Sequence, residues 1–177
     1  MNKLPIPITE RKIRFALVGC GRIAQNHFSA IEQHAKNAEL VSVCDVDSNA
    51  LDDAVNKTGA TPFKTLPDML EKSDADVVIL TTPSGLHPAQ TIKIAEAKKS
   101  VVTEKPMATK WEDAKSMVKA CDENDVRLFV VKQNRYNKTL QLLKRAVEKN
   151  RFGKIYMVNL NVFWTRPQSY YDQGGWR

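Results

Sequence analysis

The sequence has no long hydrophobic run. No window of the chain holds the roughly 18 consecutive apolar residues that a membrane-spanning helix needs. The first residues, MNKLPIPITERK, contain no apolar stretch of signal-peptide length and are interrupted by Pro5 and Pro7. We therefore expect a cytoplasmic protein with an irregular N-terminal arm over residues 1–12 and no association with membranes.

Cysteine and histidine are scarce, at three residues each. Cys20, Cys44 and Cys121 form no CxxC pair, which favours buried, reduced thiols over disulfides or metal ligands. The histidines lie at no metal-ligand spacing, so the sequence predicts no metal site.

The sequence also lacks a basic block, although its formal net charge is +7. Lysine and arginine are interspersed with acids, as in KIAEAKK and KRAVEKNR, which is typical of solvated helix faces. This pattern predicts no nucleic-acid binding. Part of the excess positive charge could instead serve an anionic small substrate.

What the sequence does contain is a regular alternation of strand and helix patterns. Short apolar runs typical of strands fall at residues 13–18, 40–44, 62–64, 77–81, 101–103 and 128–131. Helical patterns follow each of them. This alternation predicts an α/β fold, a Rossmann-type doubly wound parallel sheet.

The alternation stops after Gly153. Ile155–Trp164 has apolar residues at every second position, which predicts a long strand. The remaining TRPQSYYDQGGWR cannot supply the neighbours and covering layer that such a strand needs. We therefore expect the first strand of a truncated α+β second domain, with a tail that is poorly ordered or pairs with another copy of the chain.

A glycine-rich turn follows the first predicted strand. In VGCGRIA, Gly19 permits a tight turn, Gly21 lets the backbone approach a pyrophosphate, and Ala24 allows close packing of helix on strand. The turn residues Arg22 and Ile23 lead into a helix whose N-terminus favours negative charge. The turn predicts a dinucleotide site.

An acid ends the second predicted strand, where a ribose-binding carboxylate is expected. Asp45 accepts hydrogen bonds from ribose hydroxyls but repels a 2′-phosphate, and Val46 offers no positive charge to hold one. The sequence therefore predicts NAD rather than NADP as the cofactor. Asp47 is an alternative ribose acid, or else the cap of the next helix.

Polar residues also follow the fourth, fifth and sixth strands, and the carboxyl ends of parallel strands share one edge of the sheet. They are Thr82, Pro83 and His87 after strand four, Glu104 and Lys105 after strand five, and Gln133, Asn134 and Arg135 after strand six. We expect Lys105 to bind a substrate oxygen and assist proton transfer, with Glu104 either holding it in place or keeping it charged. The alternative is a surface ion pair.

These motifs together resemble the glucose–fructose oxidoreductase/inositol dehydrogenase/MocA family. The match consists of the glycine turn, the acid at Asp45, the TPxxxH segment Thr82–His87 and the EKP segment Glu104–Pro106. The resemblance implies a catalytic role for Lys105 and a cofactor site lined by the TP loop.

From RLFVV onwards the chain further resembles the UDP-N-acetylglucosaminuronate 3-dehydrogenases of that family. This implies NAD-dependent oxidation of the 3-hydroxyl of UDP-N-acetyl-D-glucosaminuronic acid, in surface-polysaccharide biosynthesis. It also implies cofactor contacts from Gln133, Trp176 and Arg177. Lys105, Asn134, Arg135 and Tyr136 would face the UDP-sugar.

The resulting domain prediction is an NAD-binding Rossmann domain over 13–136, a linking helix over 137–153 and the start of a substrate and oligomerisation domain over 154–177. We expect the full-length enzyme to be a homo-oligomer. The family's histidine-containing catalytic segment is absent, so we expect this chain alone to bind NAD weakly and to turn over little. The alternatives are another sugar or cyclitol dehydrogenase of the family, or a non-catalytic NAD-binding module.

Overall fold

The computed structural model describes residues 7–172, and the chain divides into two compact units, one ending at Val131 and one beginning at Lys132. The strands are β1 Ile13–Val18, β2 Ala38–Cys44, β3 Thr61–Phe63, β4 Val77–Leu80, β5 Ser100–Thr103 and β6 Leu128–Val130. The α-helices are α1 Ala24–Gln33, α2 Ser48–Thr58, α3 Leu66–Lys72, α4 His87–Glu96, α5 Trp111–Glu123, α6 Lys138–Glu148 and α7 Gln168–Asp172.

The first unit is built on a parallel sheet with the strand order β3-β2-β1-β4-β5-β6. This confirms the predicted Rossmann-type sheet. The chain moves outward from β1 to β3 and then returns to start again at β4. Because β1 and β4 lead away in opposite directions, a crevice opens beyond their carboxyl ends, where ligands of such sheets bind.

The core lies on both faces of this sheet. Successive residues of a strand point to opposite faces, so Leu17 packs with Val43 and Ile79 on one side while Val18 packs with Val78 and Leu80 on the other. Apolar strands without polar alternation are what a sheet covered on both faces requires.

The second unit contains a 3-10 turn at Gln133–Tyr136, α6 and α7. The domain boundary was predicted after Tyr136, but the turn groups with α6, where the Gln141 side chain donates a hydrogen bond to the Arg135 carbonyl. The strand predicted at 155–164 is not formed, because a strand needs a hydrogen-bonded neighbour and the described residues of this unit include none.

None of the helices in the described part of the chain has the length and apolar character needed to cross a bilayer. Across residues 7–172 there is likewise no group of three or more histidine, cysteine or acidic side chains arranged to hold a metal ion.

Candidate functional site

The glycine turn packs directly on the loop that follows β4. Gly19 has a φ of +95°, and a Cβ there would lie 2.8 Å from the Thr82 nitrogen. The Thr81 hydroxyl donates a hydrogen bond of 2.5 Å to the Gly19 carbonyl. Both the left-handed backbone and the contact distance therefore require glycine at this position.

Beyond Gly19 the backbone of the turn is open. A Cβ at Gly21 would meet no atom within 4 Å, and Arg22 beside it is exposed. Ala24 is fully buried where α1 packs on the sheet, and no side chain caps the helix at Ile23. An open turn before a helix N-terminus without a side-chain cap fits the pyrophosphate of a dinucleotide, because the N-terminal end of a helix favours negative charge.

Asp45 holds the same turn from the end of β2. Its Oδ2 accepts a hydrogen bond of 2.6 Å from the Cys20 N–H, and its Oδ1 accepts one of 2.9 Å from the Asp47 N–H. Each carboxylate oxygen has a further lone pair for a ribose hydroxyl. Asp47 instead caps α2, accepting from the Asn49 N–H at 2.9 Å, so the ribose contact stays a prediction for Asp45.

His87 does not lie where the sequence interpretation placed it. It is 1% exposed, with Nε2 2.8 Å from the Thr82 carbonyl oxygen and Nδ1 3.0 Å from that of Pro106. Predicted as a cofactor contact, it is instead enclosed between two loops, because both ring nitrogens face main-chain carbonyls. Of the TP loop, the exposed Pro83 and the half-buried Thr82 remain nearer the solvent.

Glu104 and Lys105 follow β5, but their side chains do not pair with each other. Glu104 Oε1 lies 2.9 Å from His27 Nε2, and Oε2 accepts a hydrogen bond of 3.2 Å from the Lys105 N–H. The Lys105 side chain is exposed, and among residues 7–172 its ammonium makes no ion pair or hydrogen bond. Glu104 therefore holds the main chain of Lys105, and the surface ion pair considered from the sequence is not formed.

The carboxyl group of Glu104 is held in its charged form. Burial by itself would raise its pKa, but the hydrogen bond and charge of His27, with the Lys105 amide and charge, lower the pKa below its ordinary value. His27 therefore belongs to the group of residues around Glu104 and Lys105, although the sequence interpretation did not include it. Its position one turn after Ala24, on the face of α1 that meets the sheet, was the available signal.

The cysteines beside the site have thiols whose ionisation is disfavoured by burial. Burial, with the nearby charge of Asp45, raises the pKa of Cys20 to about 12 and that of Cys44 to about 11. All three cysteines are free and buried, as predicted for their burial, and their reduced state stays a prediction.

The remaining predicted site residues belong to other parts of the chain. Gln133, Asn134, Arg135 and Tyr136 form the exposed 3-10 turn of the second unit, so their approach to the cofactor or substrate stays a prediction. Trp176 and Arg177 lie outside the described residues.

Comparison with known proteins places these features in a family. Residues 13–132 match the model of an oxidoreductase family with an NAD-binding Rossmann fold. Among curated proteins, inositol 2-dehydrogenase 3 of Saccharopolyspora erythraea is 28% identical over 162 residues, covering 90% of this chain and 48% of its own length. D-apiose dehydrogenase of Paraburkholderia graminis is 30% identical over 159 residues, covering 89% of this chain and 40% of its own.

Two solved structures are much more similar. The WlbA dehydrogenase from Chromobacterium violaceum, in complex with NADH and UDP-GlcNAcA, is 66% identical, with a TM-score of 0.95 over 100% of this chain. The WlbA dehydrogenase from Bordetella pertussis, with the same two ligands, is 64% identical, with a TM-score of 0.93 over 97% of this chain. The chain spans about half the length of each, 51% and 49%.

Proposed function

Because the chain belongs to the oxidoreductase family with the NAD-binding Rossmann fold, we propose that the whole protein is an NAD-dependent dehydrogenase of a nucleotide sugar. Its proposed substrate is UDP-N-acetyl-D-glucosaminuronic acid, oxidised at the 3-hydroxyl. The observation that carries the proposal is the 66% and 64% identity to two WlbA dehydrogenases solved with NADH and UDP-GlcNAcA.

The arrangement of the first unit supports the cofactor half of this proposal. The open turn at Gly21 and the uncapped start of α1 would receive the pyrophosphate, and Asp45 would accept hydrogen bonds from the ribose hydroxyls. Bound NAD would supply the hydride acceptor for the sugar carbon. The negative charge of Asp45 disfavours the additional phosphate of NADP.

Lys105 is the group proposed to act on the substrate. Its main chain is held by Glu104 while its ammonium is exposed and unpaired within the described residues, so it is available to a ligand oxygen. In this role it holds the 3-oxygen and assists the removal of its proton as the hydride leaves carbon 3. Arg135, with Asn134 and Tyr136, is proposed to contact the acidic sugar.

The test is oxidation by the whole protein, followed through the formation of NADH. We expect activity with UDP-N-acetyl-D-glucosaminuronic acid, and reduction of the product with borodeuteride should introduce deuterium at carbon 3. The Lys105→Met variant should bind NADH and yet lose turnover by at least about a hundredfold, in the range of general acid–base contributions. Turnover that survives in Lys105→Met would remove the assigned catalytic role.

A cyclitol dehydrogenase is the second candidate, favoured by the 28% identity to inositol 2-dehydrogenase 3. Parallel assays with myo-inositol, UDP-N-acetylglucosamine and the proposed substrate distinguish the two candidate activities. Oxidation of myo-inositol without oxidation of the UDP-sugar would reverse the assignment. We also propose that the whole protein is cytoplasmic and forms a homo-oligomer. Light scattering of the purified protein would check the oligomeric state.

A further inference from the structure

We propose that His27 is a positioning residue for Lys105, acting through Glu104. Its imidazole ties α1, the helix that begins at the dinucleotide turn, to the loop that carries the lysine. The contact itself is independent of the reaction, whereas its consequence for the cofactor rests on the function proposed above.

The connection consists of two consecutive hydrogen bonds through one carboxylate. Because Glu104 is ionised and can only accept, the His27 Nε2 carries the proton and donates to Oε1 at 2.9 Å. The other oxygen, Oε2, is then oriented to accept from the Lys105 N–H at 3.2 Å. The orientation of the carboxylate on one side therefore determines the position of the Lys105 peptide on the other.

The pair is sheltered enough for this contact to be specific. The side chains of His27 and Glu104 are 14% and 16% exposed, whereas five other ion pairs of the first unit each include a side chain that is at least 44% exposed. A sheltered charge-assisted hydrogen bond is stronger than an exposed ion pair. Two fully or nearly fully buried neighbours on α1, Ala24 and Phe28, hold the helix against the sheet.

Lys105 is held on its other side by a second imidazole. His87 on α4 faces the Pro106 carbonyl oxygen at 3.0 Å. The main chain before Lys105 thus contacts the carboxylate that His27 orients, and the carbonyl after it faces His87, while the Lys105 side chain stays exposed. A side chain that must reach a substrate benefits from a main chain that does not move.

The consequence is a coupling between the cofactor and the lysine. The pyrophosphate would dock at the N-terminus of α1, one turn before His27. A shift of α1 on docking would reach the Lys105 peptide through the His27–Glu104 hydrogen bond. We therefore infer that loss of this hydrogen bond weakens NADH binding and displaces Lys105, although His27 itself does not touch the cofactor.

The test compares His27→Leu, which has no donor, with His27→Gln, whose side-chain amide can donate to Glu104. The first readout is the amide resonance of Lys105 in ¹⁵N-labelled chain. We expect a displaced resonance and faster hydrogen exchange in His27→Leu, and near wild-type values in His27→Gln. The second readout is NADH titration of the whole protein, in which His27→Leu should lose about five- to tenfold in affinity and His27→Gln about twofold or less.

Glu104→Ala, which removes the acceptor, provides the matched control. If His27 acts through Glu104, adding His27→Leu to Glu104→Ala should cost no further NADH affinity, whereas independent roles would add. A folded His27→Leu chain with an unchanged Lys105 amide would overturn the proposal. If His27→Leu does not fold, His27→Ala takes its place, and a Lys105 amide unchanged from the wild type would again overturn the proposal. Failure of the wild-type whole protein to bind NADH would count against the proposed function alone, since the amide readout needs no cofactor.

Discussion

Gly19 and Thr82 lie so close together that a methyl group on the glycine would stand 2.8 Å from the Thr82 nitrogen. The turn after β1 and the loop after β4 therefore pack directly against each other at the base of the crevice. The hydrogen bond of 2.5 Å from Thr81 to the Gly19 carbonyl joins the same two segments. Because only Gly19 makes this contact, we expect substitutions of Gly19 and Gly21 to affect the protein differently.

Gly19→Ala should destabilise the fold. The added Cβ meets main-chain atoms that cannot move away, and the φ of +95° is unfavourable for alanine. We expect the free energy of unfolding to fall by about 2–3 kcal/mol, measured by urea denaturation. An unfolding midpoint equal to that of the wild type would contradict this close packing of Gly19 on Thr82.

Gly21→Ala should leave stability within about 0.5 kcal/mol of the wild type, because the new methyl group meets nothing within 4 Å. NADH affinity should nevertheless fall by at least about tenfold, since the methyl occupies the space in which the pyrophosphate approaches the backbone. Fluorescence titration with NADH measures this. Unchanged affinity would show that the cofactor does not lie against Gly21.

Asp45→Asn should narrow the preference for NADH over NADPH. The substitution removes the negative charge that repels the 2′-phosphate while keeping one acceptor for the ribose. We expect the ratio of the two dissociation constants to move towards one by at least about tenfold, with some loss of stability because the amide cannot accept from both Cys20 and Asp47. Equal affinity of the wild-type chain for both cofactors would contradict the assignment.

The thiols should resist modification in the native protein. Burial raises the pKa of Cys121 to about 11, as it does for Cys44, and that of Cys20 to about 12. The reactive thiolate is therefore scarce at neutral pH, and access is restricted as well. We expect slow reaction with a disulfide reagent such as DTNB in buffer and rapid reaction of three thiols per chain in denaturant. A fast native phase would contradict the burial.

Glu104 should contribute stability that disappears in acid. Its pKa is lower in the folded chain than the ordinary value of about 4.3, so the unfolded chain takes up this proton at a higher pH than the folded one. The contribution is complete above the ordinary pKa and is lost as pH falls through the folded pKa. The stability difference between wild type and Glu104→Gln should therefore be largest near neutral pH and shrink below about pH 4, as urea titrations at several pH values would show. A difference independent of pH would contradict the His27 contact.

Local patterns were sufficient for most of the first unit. A short apolar run followed by a glycine turn is enough to predict β1. Likewise Thr65 marks the start of α3, where its hydroxyl accepts a hydrogen bond of 3.2 Å from the Asp68 N–H. Both signals depend on residues only a few positions apart. The strand predicted at Ile155–Trp164 shows the limit of such patterns. Its alternation is a local property, whereas a strand exists only with a hydrogen-bonded neighbour.

The sequence by itself determined the doubly wound sheet, the glycine turn and the presence of Asp45 and Lys105 at strand ends, because these depend on periodicity and on residue type at a turn. Only the tertiary structure decided which partner each polar group takes. It joined Glu104 to His27 rather than to the Lys105 side chain, and it enclosed His87 between two loops. The physical reason is that these contacts join segments far apart in sequence, whose distance is set by the packing of helices on the sheet.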